Sequence, residues 1–123
     1  MIVENTQTQM RKGILEYCIL SIISRGDIYA SDIINELKQA RLLVVEGTLY
    51  PLLTRLKNNG LLSYHWVEST SGPPRKYYKL SQAGLTILNQ LDKTWEELLY
   101  SVNTSLQGRD VNSNKAGTKK SKS

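Results

Sequence analysis

Gly47-Thr48-Leu49-Tyr50-Pro51-Leu52-Leu53-Thr54-Arg55-Leu56-Lys57-Asn58-Asn59-Gly60-Leu61-Leu62 is the stretch whose reading decides the fold. Leu49, Leu52, Leu53 and Leu56 recur at helical spacing and form one apolar stripe. Thr48, Tyr50, Thr54, Arg55, Lys57 and Asn58 are left for the outward face. That face carries hydroxyls, a phenol, an amide and cations, and no carboxylate. Such a surface suits a polyanion with hydrogen-bonding base edges better than bulk water. Gly60 supplies the helix stop, and an apolar-aromatic strand pattern follows at once. A helix running straight into a hairpin reads as a winged helix-turn-helix. Pro51 loses one backbone hydrogen bond and presses on the carbonyl of Gly47, whose missing side chain leaves room. It reads either as a helix-start signal or as a residue presented with Tyr50 at the end that enters a groove.

Working outward, residues 7–24 read as a first helix with apolar residues over more than half its circumference, including Met10, Ile14, Cys18 and Ile22. Such a helix is expected to be buried on more than one side. Arg25-Gly26-Asp27 ends it, and residues 29–40 read as a short second helix. Leu42 to Val45 is ambiguous between a strand and a packed turn. Two hairpin strands are expected at 61–68 and 76–80. Between them Ser69-Thr70-Ser71-Gly72-Pro73-Pro74 reads as a turn, because its prolines cannot join a ladder. Tyr77 and Tyr78 point to opposite faces, one toward the core and one toward a nucleic acid, in an order the pattern leaves open.

Ser81 is the N-cap of a last helix reaching about Leu106. Within it Leu88, Leu91, Trp95, Leu98 and Val102 are spaced as a heptad seam, broadened by further leucines. The seam reads as a dimer interface; the plainer reading is a helix packed back on its own domain. The expected fold class is therefore α+β, mainly α. It comprises a winged helix-turn-helix with a two-stranded wing (residues 1–80), a long C-terminal dimerisation helix (81–106) and a disordered basic tail (107–123).

The net charge of +5 is unevenly spread. Residues 107–123 carry five cations and one anion, and residues 48–79 carry five cations against Glu68 alone, so each segment is +4. Residues 1–47 sum to −1 and residues 80–106 to −2. Outside the tail, positive charge thus coincides with the central helix and the hairpin, the footprint expected for phosphate contact. Arg75 and Lys76 stand just past the hairpin turn, placed to reach a backbone.

One cysteine, Cys18, excludes an internal disulfide and fits a reducing cytoplasm, and its helical context reads as a small buried hydrophobe. No run of about 18 apolar residues suggests a membrane span, and Met1 to Gln9 lacks a signal-peptide core. One histidine, His65, and one cysteine form no catalytic or metal constellation, so neither an enzyme, a cofactor nor a metal is expected. A winged-helix module that binds protein rather than DNA is the remaining alternative.

Three blocks are ordered and spaced as in a known family: Glu46 to Leu56, Gly60-Leu61-Leu62, and Gly72-Pro73-Pro74-Arg75-Lys76-Tyr77-Tyr78-Lys79-Leu80-Ser81 with Gly84. Over roughly residues 10–105 the chain resembles the PadR transcriptional regulators, in particular the short subgroup with a single C-terminal dimerisation helix. The resemblance implies a cytoplasmic homodimeric repressor on double-stranded DNA with an inverted-repeat operator. It places Thr48, Tyr50, Pro51 and Arg55 toward the major groove, with Lys57 on the same helix. Arg75 and Lys76 would hold the wing to the backbone. Tyr29 matches a phosphate-contacting position, although Ala30-Ser31-Asp32 departs from the family pattern and lacks its second tyrosine. Trp95 resembles the aromatic that lines an effector site in drug-responsive relatives, which implies a small aromatic or hydrophobic effector; a plain interface anchor is the other reading.

Overall fold

The computed structural model describes residues 2–109. The chain runs α1 (Ile2–Ile23), β1 (Ile28–Tyr29), α2 (Ala30–Gln39), α3 (Glu46–Asn58), β2 (Leu62–Ser69), β3 (Gly72–Leu80) and α4 (Gln82–Ser105). It divides into two compact units within α4, between Gln90 and Leu91. The expected boundary at residue 80 lies ten residues earlier, and the start of α4, with Gly84 and Leu88, belongs to the first unit. From residue 110 onward the expected basic tail lies outside the described residues. Among the described residues, no helix is long and apolar enough to cross a membrane.

The core of the first unit is aliphatic. Ile19, Leu20 and Ile23 of α1, Ile33 and Leu37 of α2, and Leu49, Leu53 and Leu56 of α3 are buried, together with Leu62, Tyr78 and Leu88. The leucine stripe of α3 faces inward as its spacing requires, with Leu52 half-buried at its margin. The first helix departs from expectation. Burial is confined to its C-terminal turns, and Met10 is 70 % exposed. Its partners α2 and β3 are short elements that pack against one end of a 22-residue helix and leave the rest uncovered.

Two helix stops share one geometry. After α3 the amide of Gly60 donates to the Lys57 carbonyl (2.9 Å) and that of Leu61 to the Leu56 carbonyl (3.0 Å), with Gly60 at φ +81°. After α2 the amides of Arg41 and Leu42 bond in the same way to Lys38 and Leu37. There the left-handed position is filled by Arg41 (φ +65°) rather than glycine. Pro51 lies inside α3 without breaking it.

The sheet is antiparallel in the order β1-β3-β2, so a two-residue strand joins the wing hairpin along its second strand. Tyr64 lies opposite Tyr78, His65 opposite Tyr77 and Trp66 opposite Lys76. The turn is shorter than expected, since β3 begins at Gly72 and takes in Pro73 and Pro74. The ladder slips between Val67 and Ser69, opposite those prolines, and β1 pairs only with Tyr77 and Tyr78. The missing proline N–H groups therefore fall at a bulge with a free outer edge, where a strand tolerates them.

Ser81 joins the hairpin to α4. Its hydroxyl donates to the Gly60 carbonyl (2.6 Å) and accepts the amide of Gly84 (2.9 Å), while its own amide donates to the Leu61 carbonyl (3.0 Å). A Cβ on Gly84 would collide with the Leu61 carbonyl oxygen and stand 2.8 Å from Leu80 Cδ1. Gly13, by contrast, has open space around it in mid-α1. Gly84→Ala is accordingly expected to destabilise the fold by about 1–3 kcal/mol, the usual range for overpacking, and to lower the melting temperature by several degrees. Gly13→Ala should be neutral or stabilising by up to about 1 kcal/mol, through helix propensity alone. Calorimetry of both variants checks the contrast; equal melting temperatures would remove the close packing from the account.

Candidate nucleic-acid interface

Every polar position expected on the outward face of α3 is exposed, but the face is divided between two flanks. Thr48, Pro51 and Arg55 line an open groove of about 840 Å³ shared with α1 and the Leu42–Val45 loop. There the Arg55 guanidinium is ion-paired with Glu16 of α1. Tyr50 and Lys57, seven residues apart and so on one helical flank, turn toward the wing. Lys57 Nζ stands 5.5 Å from the ring centre of Tyr64, and Tyr50 shares a second groove with Trp66, Arg75 and Lys76.

The wing divides its residues in the same manner. Successive strand residues point to opposite faces of a sheet. One face carries Leu62, Tyr64 and Trp66 of β2 beside Lys76, Tyr78 and Leu80 of β3. Leu62 and Tyr78 are buried, Tyr64 is 37 % exposed and Trp66 61 % exposed, so this face emerges from the core toward the hairpin tip. Lys76 Nζ lies 4.3 Å from the Tyr64 ring centre and 5.4 Å from that of Trp66. The phenol ring is thereby contacted by two lysines, one from α3 and one from β3.

The other face holds a second stack. The rings of Tyr29 and Tyr77 are 3.7 Å apart between centres, the Arg75 guanidinium sits 4.8 Å from the Tyr29 ring, and His65 stacks on Tyr77 at 5.7 Å. A side-chain hydrogen bond to Tyr29, then desolvation, pushes the Tyr77 phenol above its ordinary pKa. Burial does the same to Tyr78. The choice left open between these tyrosines is thus resolved as regards the core: Tyr78 is the core residue and Tyr77 belongs to the cation-flanked stack. Arg75 and Lys76, read together from the sequence, address different faces. Among the described residues no carboxylate pairs with Lys57, Arg75 or Lys76.

Three residues went unassigned in the sequence reading. Glu16 could not be matched to Arg55 without knowing that α1 and α3 face each other across the first groove. Tyr64 and Trp66 carried a signal, since they continue the period of two that begins at the buried Leu62. Cys18 is half-buried rather than enclosed, with its thiol pushed up by desolvation. His65 is exposed on β2, 3.9 Å from Asp27.

The seam residues occupy both units. Leu88 is part of the first unit's core. In the second unit Leu91 is half-buried, while Trp95, Leu98, Leu99, Tyr100 and Val102 expose much of their apolar surface.

Comparison with known proteins gives a consistent result. Residues 19–90 match the transcriptional regulator PadR-like family. The chain is 63 % identical to a PadR-like transcription factor from Bacteroides fragilis, over 81 % of this chain and 97 % of that one, with a TM-score of 0.70. It is 32 % identical to a PadR family transcriptional regulator from Eggerthella lenta DSM 2243, over 87 % and 94 % of the two chains, with a TM-score of 0.78. A Bacillus subtilis PadR, solved in complex with operator DNA, shares the fold at 22 % identity, over 63 % of this chain and 46 % of that one, with a TM-score of 0.59. The winged helix-turn-helix expected from the sequence is the observed fold, and the chain belongs to the transcriptional regulator PadR-like family.

Proposed function

We propose that this transcriptional regulator is a homodimeric repressor that binds an inverted-repeat operator in double-stranded DNA. The observation that carries the reading is the groove where Tyr50 of α3, the start of α2 and the wing meet. Among the described residues lining it are Tyr50, Trp66, Arg75 and Lys76, with no carboxylate. Lys57 adds a third cation over Tyr64, whose ring meets Trp66 edge-on. In this reading α3 enters the major groove, with Tyr50 and Lys57 on the wing side and Thr48, Pro51 and Arg55 on the other. Lys76 and Arg75 grip phosphates on the two faces of the wing, and Tyr29 positions Arg75.

Pairing through α4 completes the arrangement. The exposed apolar side chains of Trp95, Leu98 and Val102, with Leu91, favour burial against a second copy, since an apolar stripe of this length gains by leaving water. Leu88 supports that helix from within its own unit. Two recognition helices would then stand about 34 Å apart, one turn of DNA. A small aromatic or hydrophobic effector that stacked on Trp95 would alter this spacing and release the operator.

A salt titration on a duplex from upstream of the protein's own coding sequence, against a scrambled duplex, tests the DNA reading. Specific binding whose logarithm falls steeply with log salt is expected, and Lys76→Ala or Arg75→Ala should each reduce the slope by about one. Equal weak binding to both duplexes would sink it. Dimerisation is tested separately by light scattering of the double variant Leu91→Glu, Trp95→Glu. The solution mass should fall from dimer to monomer; an unchanged mass would rule out the seam.

A further inference from the structure

The face of the wing that turns toward α3 carries more than cations. Leu62, Tyr64 and Trp66 form a continuous row that is buried at its base and open at its tip. Trp66 is the most exposed residue of that row, at 61 %. It is nevertheless held, edge-on to Tyr64 with ring centres 6.4 Å apart and beside Lys76 at 5.4 Å. A large indole kept in place and open to water beside Lys76, with Lys57 over the neighbouring Tyr64 ring, is complementary to a surface that offers both apolar patches and anions. The sugar-phosphate edge of a DNA strand is such a surface, with deoxyribose rings set between phosphates. Another protein surface would need carboxylates to satisfy the same lysines.

We propose that Trp66 is a DNA-contact residue whose indole packs against deoxyribose at the groove edge, while Lys57 and Lys76 hold the flanking phosphates. The proposal rests on the DNA-binding reading above and adds to it an apolar, salt-independent share of affinity. Tyr64 is the positioning residue. It fixes the Lys76 and Trp66 side chains from beneath and is itself braced by the buried Tyr78, 5.9 Å away between ring centres. Apolar contact releases no counterions, so its loss weakens binding without changing the salt dependence.

The test is a titration of the same upstream duplex, carrying a dye, with the full chain, read by fluorescence anisotropy at several salt concentrations with tryptophan emission followed alongside. Trp66→Ala should lower affinity about tenfold or more, the scale of uncovering a large aromatic contact, with the wild-type slope retained. Trp66→Phe should keep affinity within a few-fold and abolish the change in tryptophan emission that wild-type protein shows on binding, although Trp95 remains. Thermal melting of both variants should match wild type, because the side chain is mostly exposed. Wild-type affinity in Trp66→Ala would overturn the proposal. So would a reduced salt slope, which would make Trp66 only a support for Lys76. A change in solution mass with DNA affinity intact would mark the row as a self-association surface and equally overturn it. If the wild-type chain bound neither duplex specifically, the DNA reading itself would fall, an outcome distinct from all of these.

Discussion

The hydroxyl of Ser81 is where the elements of the first unit are tied together. It closes the C-terminal end of α3 through the Gly60 carbonyl and opens α4 through the Gly84 amide, so one side chain satisfies the ends of two helices. Between those contacts lies the whole hairpin, residues 61–80. The angle at which the wing leaves α3 is therefore set at its base, not by the tip. Both glycines serve this junction for different reasons. Gly60 supplies a left-handed turn that a side chain would disfavour by about 1 kcal/mol. Gly84 lets the first turn of α4 approach the Leu61 carbonyl within a distance that admits no Cβ. A helix and a sheet held this closely keep the groove between them at fixed width, and it is that groove which presents Tyr50, Trp66 and Lys76 together.

The cations around this groove are ordered by aromatic rings rather than by carboxylates. Lys57 and Lys76 lie against Tyr64, and Arg75 lies against Tyr29. A cation–π contact at an exposed site contributes on the order of 0.5–1 kcal/mol. That is enough to bias a long side chain toward one place, and it leaves the full positive charge available. An acidic partner would bias the side chain too, but would cancel the field that attracts a polyanion. The sequence shows the same logic in its composition, with Glu68 the sole anion between residues 48 and 79.

Much of this was legible in the sequence because periodicity and punctuation agree. The leucine stripe of α3, the stop at Gly60 and the cap at Ser81 are local signals, and each is read from a few neighbouring residues. What was not legible depends on distant contacts. Nothing near Ile28 and Tyr29 marks a two-residue strand, because it exists only through pairing with Tyr77 and Tyr78. Pro73 and Pro74 argue against a strand until the bulge opposite them is known. The apolar circumference of α1 is real, yet its burial depends on which neighbours reach it. In the site itself, the row of Tyr64 and Trp66 is present as a strand pattern but carries no charge, so nothing local marks it as part of a basic surface.

Arg55 shows why position on an exposed helix face does not fix a role. Its guanidinium is mostly exposed and ion-paired with Glu16, so its charge is neutralised locally in the free protein. With the guanidinium open to solvent and Glu16 half-buried, solvent screens the pair from the arginine side, and its stabilisation stays on the order of 1 kcal/mol. A phosphate, which accepts two hydrogen bonds from a guanidinium fork, can displace the carboxylate at small cost. The exchange would leave Glu16 facing the same strand, however, and the net charge brought to the DNA by this pair is zero. Arg55 in the proposed complex therefore contributes through geometry, as a directed donor, while Lys57, Arg75 and Lys76 supply the long-range attraction. The two flanks of α3 would then do different things, one orienting the helix and the other drawing it in.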